Sequence, residues 1–193
     1  MMKIIAITGA DGTGKSTLCR NMCAKFPNFK EVSIWDAMDG SLFHTKKDID
    51  TYLCTLSPNA RLLFLSHAFT QALYLAKKSA ADVLLLNGYY YKYFASEWAL
   101  GADLGVINKL ITTFPIPSLI IELVVDSDVS YTRKDKLSRY ECGLKTPSLE
   151  NFEVFQKKVI AAFQIFDRSG WQTISTQNSA ENVFQESLKI MEK

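Results

Sequence analysis

Short apolar runs alternate along this chain with longer segments in which apolar residues recur every three or four positions. The runs predict β-strands over 3–8, 30–35, 82–87, 119–125 and 171–174, because apolar, β-branched runs of this length are typical of buried strands. The periodic segments predict helices over 16–26, 59–81, 91–113, 128–136, 148–169 and 180–192. Strands that alternate with helices are typical of a parallel sheet covered on both faces. The predicted fold class is α/β, a three-layer α/β/α arrangement around a mostly parallel five-stranded sheet.

The turn between the first strand and the first helix carries a phosphate-binding motif. Residues 9–16 read Gly-Ala-Asp-Gly-Thr-Gly-Lys-Ser and match G-x-x-x-x-G-K-[ST] at every position. Glycines let the backbone curl so that its amides converge on phosphate oxygens ahead of a helix N-terminus. We expect Lys15 to reach the terminal phosphates of ATP and the Ser16 hydroxyl to ligate Mg²⁺. The predicted nucleotide-binding residues are Gly9, Asp11, Gly12, Thr13, Gly14, Lys15, Ser16 and Thr17.

Five segments are expected to meet in one cleft, because ligands of open α/β sheets bind outside the carboxyl ends of the strands. These segments are 9–16, 36–40, 87–92, 126–128 and the basic loop near Arg139. The loop over 138–147 is polar, and we expect it to be mobile.

The segment that begins at Arg133 is rich in cations. Its basic residues are Arg133, Lys134, Lys136, Arg139 and Lys145. Opposite a phosphate loop, such a cluster is typical of a lid, here at about 133–147, that neutralises charge during phosphoryl transfer. Arg139 is the preferred catalytic arginine because a guanidinium grips a phosphate at two points, and Arg133 is a second candidate. The alternative is an ordinary solvated helix face.

Composition limits the classes of function. The chain has 193 residues, of which 48% are hydrophobic and 22% charged, and this suits a single domain over 1–193. A net charge of +2 gives no basic stripe for nucleic acid. The apolar runs are too short to span a membrane, and the residues before the phosphate loop do not resemble a signal peptide, so a cytoplasmic location is expected. The four cysteines do not have metal-ligand spacing.

In the order and spacing of these features the chain resembles thymidylate kinases. The resemblance rests on the phosphate loop, the helix with Leu-Leu-Phe at 62–64, the strand and turn over 119–128, the lid run Arg-Tyr-Glu at 139–141, and the tail over 152–183. It implies a P-loop kinase fold and transfer from ATP with Mg²⁺ to the 5′-phosphate of a deoxynucleoside monophosphate, most directly dTMP to dTDP. It also implies a homodimer.

The resemblance assigns roles to particular residues. Asp11 matches an acidic residue near the sugar 3′-hydroxyl of the acceptor, although Asp is also common in turns. Phe64 matches an aromatic residue that stacks on thymine, although an apolar helix residue is equally often core. Gly12 stands where one subgroup has a loop arginine, so the catalytic cation is expected from the lid, where Arg133, Lys136 and Arg139 are available.

At the acceptor side the chain departs from the family pattern. Asn-Gly-Tyr at 87–89 replaces Asp-Arg-Tyr, Trp-Asp-Ala at 35–37 replaces Arg-Glu-Pro, and Ala68 stands where an arginine contacts thymine. Losing a bidentate contact to a charged group costs about 2–5 kcal/mol. As compensation, Lys92 is a candidate acceptor cation and Tyr89 a candidate wall of the acceptor site. Asp36 and Asp126 are candidates to hold metal-bound water.

Three functions therefore stay open. The first is a thymidylate kinase-like nucleotide kinase, and the second is a kinase of the same fold with another acceptor. If that acceptor were a nucleoside, Asp36 would be the candidate general base. The third is an ATP-binding module without transfer activity.

Overall fold

A five-stranded parallel sheet forms the centre of the molecule, in the strand order β2-β3-β1-β4-β5. The structure is a computed structural model that describes residues 2–37, 43 and 45–192. The strands are β1 (Lys3–Thr8), β2 (Phe29–Val32), β3 (Val83–Asn87), β4 (Leu119–Val124) and β5 (Gln172–Ser175). Because all five run in one direction, their carboxyl ends lie along the same edge of the sheet.

The connections between strands are mainly helical. The α-helices of the described residues are α1 (Lys15–Lys25), α2 (Lys46–Leu53), α3 (Pro58–Ala76), α4 (Tyr89–Ala99), α5 (Leu104–Ile111), α6 (Ser127–Thr132), α7 (Leu149–Ala162) and α8 (Ala180–Met191). Short 3₁₀ turns cover Ile34–Ala37, Tyr140–Cys142 and Phe163–Ile165.

Helices cover both faces of the sheet, and each face has its own hydrophobic core. Successive residues of a strand point to opposite faces. Ile5 and Ile7 of β1 therefore pack in the core beneath α1 and α8, whereas Ala6 belongs to the core beneath α3, α4 and α7. The core beneath α3, α4 and α7 is unusually aromatic around Tyr90, whose ring centroid lies 5.4 Å from that of Phe94.

The predicted α/β/α class is confirmed, and each of the five predicted strands is present within a few residues of its expected limits. The helices differ more. The segment 91–113 forms two helices, because Gly101 between them has φ +92° and Asp103 caps α5 by accepting a hydrogen bond from the Val106 N–H. Helix α7 ends at Ala162 rather than near residue 169, and α2 was not predicted.

No helix in the described ranges combines the length and apolar character needed to cross a bilayer. All four cysteines lie in those ranges as free thiols.

Candidate active site

The phosphate loop, residues 9–16, curls at the carboxyl end of β1 and delivers the chain to the N-terminus of α1. Its three glycines all have positive φ, +130° at Gly9, +81° at Gly12 and +91° at Gly14. A Cβ added at Gly12 would lie 2.5 Å from the carbonyl oxygen of Ser130, so this position has no room for a side chain. The arginine that one thymidylate kinase subgroup carries there would require α6 to move.

The side chain of Lys15 folds back along the phosphate loop toward the end of β1. Its Nζ donates hydrogen bonds to the carbonyl oxygens of Gly9, at 2.9 Å, and Ala10, at 2.5 Å. Burial lowers the pKa of Lys15 to about 8, against the opposing attraction of Asp11. The hydrogen bonds of this ammonium, which include a third one to Thr13 Oγ1 at 3.4 Å, all go to uncharged oxygens, so its charge is well placed to be neutralised by an incoming phosphate.

Asp11 of the phosphate loop and Lys92 of α4 form an ion pair, with Lys92 Nζ 3.1 Å from Asp11 Oδ2. Burial acts to raise the pKa of Asp11, but Lys92 and then Lys15 outweigh it and hold that pKa at about 2. The backbone N–H of Asp11 donates to Gln156 Oε1 at 2.9 Å. Lys92 itself is 4% exposed, so this cation is fixed in place on α4.

The phosphate loop and this ion pair line the same cleft, which has a volume of about 810 Å³. Its lining includes Trp35, Asp50 and Tyr93, and also Arg133 and Lys134 of the predicted lid. The structure therefore brings together most of the residues that the sequence singled out. Those lining the cleft are Asp11, Gly12, Thr13, Gly14, Lys15, Ser16, Thr17, Lys92 and Arg133.

Two residues predicted to bind the acceptor, Tyr89 and Phe64, are not among the described residues that line the cleft. Tyr89 is fully buried, and its hydroxyl donates to the carbonyl oxygen of Pro115 at 2.9 Å, so it is a core residue rather than a wall of the cleft. Phe64 is partly buried against Phe43 and Tyr52, with ring centroids 5.9 and 5.3 Å apart. Its ring therefore packs against these two aromatic residues instead of lining the cleft.

The two predicted carboxylates after the strands are also engaged locally. Asp36 is exposed and accepts a hydrogen bond from the Ser33 N–H at 2.7 Å, beside a smaller hollow that Ser16 also lines. Asp126 accepts from Gln177 Nε2 at 2.6 Å. The rest of the 36–40 segment, from residue 38 onward, lies outside the described residues.

The lid segment is more closely packed than its polar sequence suggests. Tyr140 and Cys142 are buried, and the backbone N–H groups of Arg139 and Tyr140 donate to the Asp50 carboxylate of α2 at 3.3 and 3.1 Å. Lys134 pairs with Glu141 within the segment. The 138–147 loop, expected to be polar and mobile, therefore also contributes two buried side chains and contacts with α2.

Of the two catalytic arginines expected, Arg133 lies in the cleft and Arg139 does not. The Arg133 guanidinium donates to the hydroxyl and the carbonyl oxygen of Thr176, at 3.1 and 2.5 Å. Arg139 is exposed, and its guanidinium donates to the Leu144 carbonyl oxygen at 3.0 Å. In the described part of the chain, Arg139 is not among the residues that line the cleft.

A buried polar network, which was not predicted from the sequence, adjoins the cleft through Tyr140. The Arg61 guanidinium pairs with Glu97 at 2.8 Å, and both side chains are almost fully buried. Tyr140 adds a hydrogen bond to the same carboxylate. The two charges come from different helices, and a charged residue on a helix gives no indication from sequence alone that it will be buried.

Glu31 on β2 also lies beside the phosphate loop, and it was not among the predicted site residues. Its carboxylate accepts a hydrogen bond from Asn87 Nδ2, which donates to Ser16 Oγ as well. Hydroxyl, amide and carboxylate oxygens are ligands that Mg²⁺ accepts, usually with substrate phosphates and water completing its shell. Within the described ranges there is no group of three or more His, Cys, Asp or Glu side chains that could hold a metal alone.

The glycine-rich loop at the end of β1, the lysine that follows it and the parallel sheet define the class as a P-loop fold of the nucleotide kinase type. The structure matches thymidylate kinase from Candida albicans with a TM-score of 0.76 and 21% identity, over 99% of this chain and 91% of that one. At that identity the match establishes the fold.

The sequence comparison extends over the same length. The chain is 24% identical to "Probable thymidylate kinase 1" of Saccharolobus solfataricus over 203 residues, covering all of this chain and 98% of that protein. No family model matches. The resemblance to thymidylate kinases is therefore confirmed along the whole chain, from the phosphate loop to the final helix.

Proposed function

We propose that this chain is an ATP-dependent nucleotide kinase that converts dTMP to dTDP with the help of Mg²⁺. The observation that carries the proposal is the complete phosphate loop opening into a cleft in which the fixed cation Lys92 lies beside Asp11 of that loop. The full-length similarity to a probable thymidylate kinase supports the choice of acceptor.

The donor half of the reaction uses the loop amides, Lys15 and Ser16. The amides and Lys15 hold the β- and γ-phosphates of ATP, and Ser16 is the protein's hydroxyl ligand for Mg²⁺, which neutralises phosphate charge when bound. An oxygen of the acceptor 5′-phosphate attacks the γ-phosphorus in line. One P–O bond forms there as the bond to the β,γ-bridging oxygen breaks and ADP leaves. No general base is needed because the acceptor phosphate is already anionic.

Arg133 is the residue best placed to neutralise the transferring group. It lies in the cleft at the start of the lid segment, and a cation at this point stabilises charge that shifts between donor and acceptor oxygens. In this proposal Arg139 acts only if the 133–147 segment closes further over the phosphates.

Lys92 and Asp11 are the acceptor-side residues of the proposal. Lys92 supplies the cation for the acceptor phosphate in place of the absent arginines, and Asp11 accepts a hydrogen bond from the sugar hydroxyl. Phe64 keeps its proposed role of stacking on the base. That role requires its ring to exchange some of its contact with Phe43 and Tyr52 for contact with thymine.

An acceptor panel tests the proposal. The purified protein is incubated with γ-labelled ATP and Mg²⁺ and, separately, with dTMP, dUMP, dGMP, dCMP, AMP and thymidine, and labelled products are separated by chromatography. We expect dTDP to form fastest, and Lys15→Met to abolish it. Product from thymidine alone would favour a nucleoside kinase with Asp36 as base. ATP binding without any product would favour a module that lacks transfer activity.

We also propose that the kinase is a homodimer, as the resemblance implies. Helix α3 carries apolar side chains that are open to solvent in the single chain, Leu63 at 52% and Leu75 at 40% exposure. Sedimentation of the wild-type protein is expected to give twice the mass of the chain, and Leu63→Glu to reduce it to that of a single chain. A single-chain mass for the wild type at micromolar concentration would contradict the dimer.

A further inference from the structure

Two polar side chains on neighbouring strands meet beside the phosphate loop. The amide nitrogen of Asn87 donates to Glu31 Oε1 at 2.6 Å and to Ser16 Oγ at 2.9 Å. A carboxylate only accepts hydrogen bonds, so the nitrogen of the Asn87 amide, and not its oxygen, has to face Glu31. The amide thereby links a carboxylate to the hydroxyl of the phosphate loop.

The register of the sheet builds this arrangement. Glu31 of β2 is paired with Leu85 of β3, and Asn87 follows Leu85 by two residues. Residues two apart on a strand share a face, so Glu31, Leu85 and Asn87 point to the same side of the sheet. That side is the one covered by α1, since Leu85 packs in the α1 core. Two strands and a helix therefore fix Glu31 near Ser16.

Position 87 is where the chain departs from the family pattern. The resemblance leads one to expect an aspartate there, close to the metal, and Asn87 carries no charge. Mg²⁺ in proteins is usually bound through one or two carboxylates together with phosphates and water. The carboxylate of Asp36 accepts from the Ser33 N–H of its own segment, and that of Asp126 accepts from Gln177. Glu31 is the acid that Asn87 connects directly to Ser16.

We propose that Glu31, held beside Ser16 by the Asn87 amide, supplies the carboxylate of the magnesium site. Where the resemblance implies an aspartate at the end of β3, this chain has its carboxylate on the adjacent strand β2, and Asn87 links that carboxylate to Ser16. Glu31 acts as a positioning residue, because its charge and its acceptor oxygens favour the cation next to the Ser16 hydroxyl. This inference rests on the proposed function and concerns the same site.

The test is the gain in ADP affinity that Mg²⁺ produces. Calorimetry measures the dissociation constant of ADP in millimolar Mg²⁺ and again in excess EDTA, for the wild type and for Glu31→Gln, which keeps the size of the side chain. We expect the gain to fall about tenfold in Glu31→Gln, with the affinity in EDTA unchanged within about twofold because the loop amides and Lys15 remain. An undiminished gain would overturn the inference.

A charge-exchange variant separates a metal role from a structural one. Glu31→Gln combined with Asn87→Asp returns the carboxylate to the end of β3, and we expect it to recover most of the Mg²⁺-dependent gain. The chain provides a matched control at the opposite end of the same two strands, where Asn28 Nδ2 donates to Asp82 Oδ2 at 3.1 Å. Asp82→Asn is expected to leave the gain unchanged, and an equal loss there, or no recovery in the exchange variant, would overturn the inference.

The same titrations distinguish this inference from the proposed function. If the folded wild type binds ADP neither with nor without Mg²⁺, the proposed function fails and the inference fails with it. If the wild type shows a Mg²⁺-dependent gain that Glu31→Gln retains in full, only the assignment of Glu31 fails.

Discussion

The phenol of Tyr140 donates a hydrogen bond to Glu97 Oε1 across 2.8 Å, and this contact ties the lid segment to helix α4. The same carboxylate pairs with Arg61 of α3. Since Tyr140 also borders the cleft, the buried network joins the structural core to the segment expected to cover the phosphates.

Removing one partner of this network should be costly. Glu97→Ala leaves the Arg61 guanidinium buried without its counter-charge, and we expect the free energy of unfolding to fall by about 3–5 kcal/mol. Tyr140→Phe removes one hydrogen bond to a charged group and should cost about 1.5–3 kcal/mol. Urea unfolding checks both values, with Tyr74→Phe as the control because Tyr74 is 55% exposed. Equal midpoints for the two Tyr→Phe variants would contradict the network's importance.

Lys92→Ala should act mainly on the acceptor. It removes the proposed phosphate cation and leaves Asp11 without its ion-pair partner, so we expect the KM for dTMP to rise at least about tenfold, which corresponds to about 1.4 kcal/mol. The KM for ATP should change less, and Lys92→Arg should restore part of the loss. Lys109→Ala, on the exposed side of α5, is the control. Steady-state kinetics in which Lys92→Ala keeps the wild-type KM for dTMP would remove Lys92 from the acceptor site.

Arg133 should matter more for turnover than Arg139. Deleting a single donor that stabilises developing charge typically lowers kcat by about 10²–10³-fold, and we expect a loss of this size in Arg133→Ala. Arg139→Ala should lower kcat less than about tenfold, because that guanidinium faces the Leu144 carbonyl outside the cleft. The reverse order of the two kcat values would indicate that the lid closes and brings Arg139 to the phosphates.

Nucleotide binding should be linked to the protonation of Lys15. Burial lowers the pKa of this lysine to about 8, so more than half of the population is neutral above that pH. A bound phosphate favours the ammonium form, and binding at pH 8.5 should therefore take up a proton and weaken as the pH rises further. Calorimetry of ADP binding in two buffers with different ionisation enthalpies measures this uptake. Lys15→Arg should show almost none, because a guanidinium stays charged; equal uptake in both proteins would contradict the assignment.

The sheet was predictable because its central strands are continuous apolar runs. The strands β1, β3 and β4 read as Lys-Ile-Ile-Ala-Ile-Thr, Val-Leu-Leu-Leu-Asn and Leu-Ile-Ile-Glu-Leu-Val, a pattern typical of strands buried on both faces. Helix α2 was missed because it is short and largely polar. It is defined by a capping box, in which Thr45 and Asp48 exchange hydrogen bonds, rather than by an apolar stripe.

The donor half of the site could be read from one local motif, whereas the acceptor half depends on contacts between distant segments. Asp11 and Lys92 are 81 positions apart and Glu31 and Asn87 are 56 apart, and only the register of the strands and the packing of α4 bring each pair together. Tyr89, in contrast, was predicted to lie in the site and is a core residue. It lies two residues after the end of β3, but its φ is +44° and its side chain is buried in the aromatic core.

The phosphate loop is tested most directly by a calorimetric titration of the folded protein with a non-hydrolysable ATP analogue in the presence of Mg²⁺. We expect saturable binding at one site per chain, weakened at least about tenfold in Lys15→Ala because the phosphates lose their lysine contact. Absence of any binding heat at millimolar analogue in a protein shown to be folded would contradict the assignment of residues 9–16 as a phosphate loop.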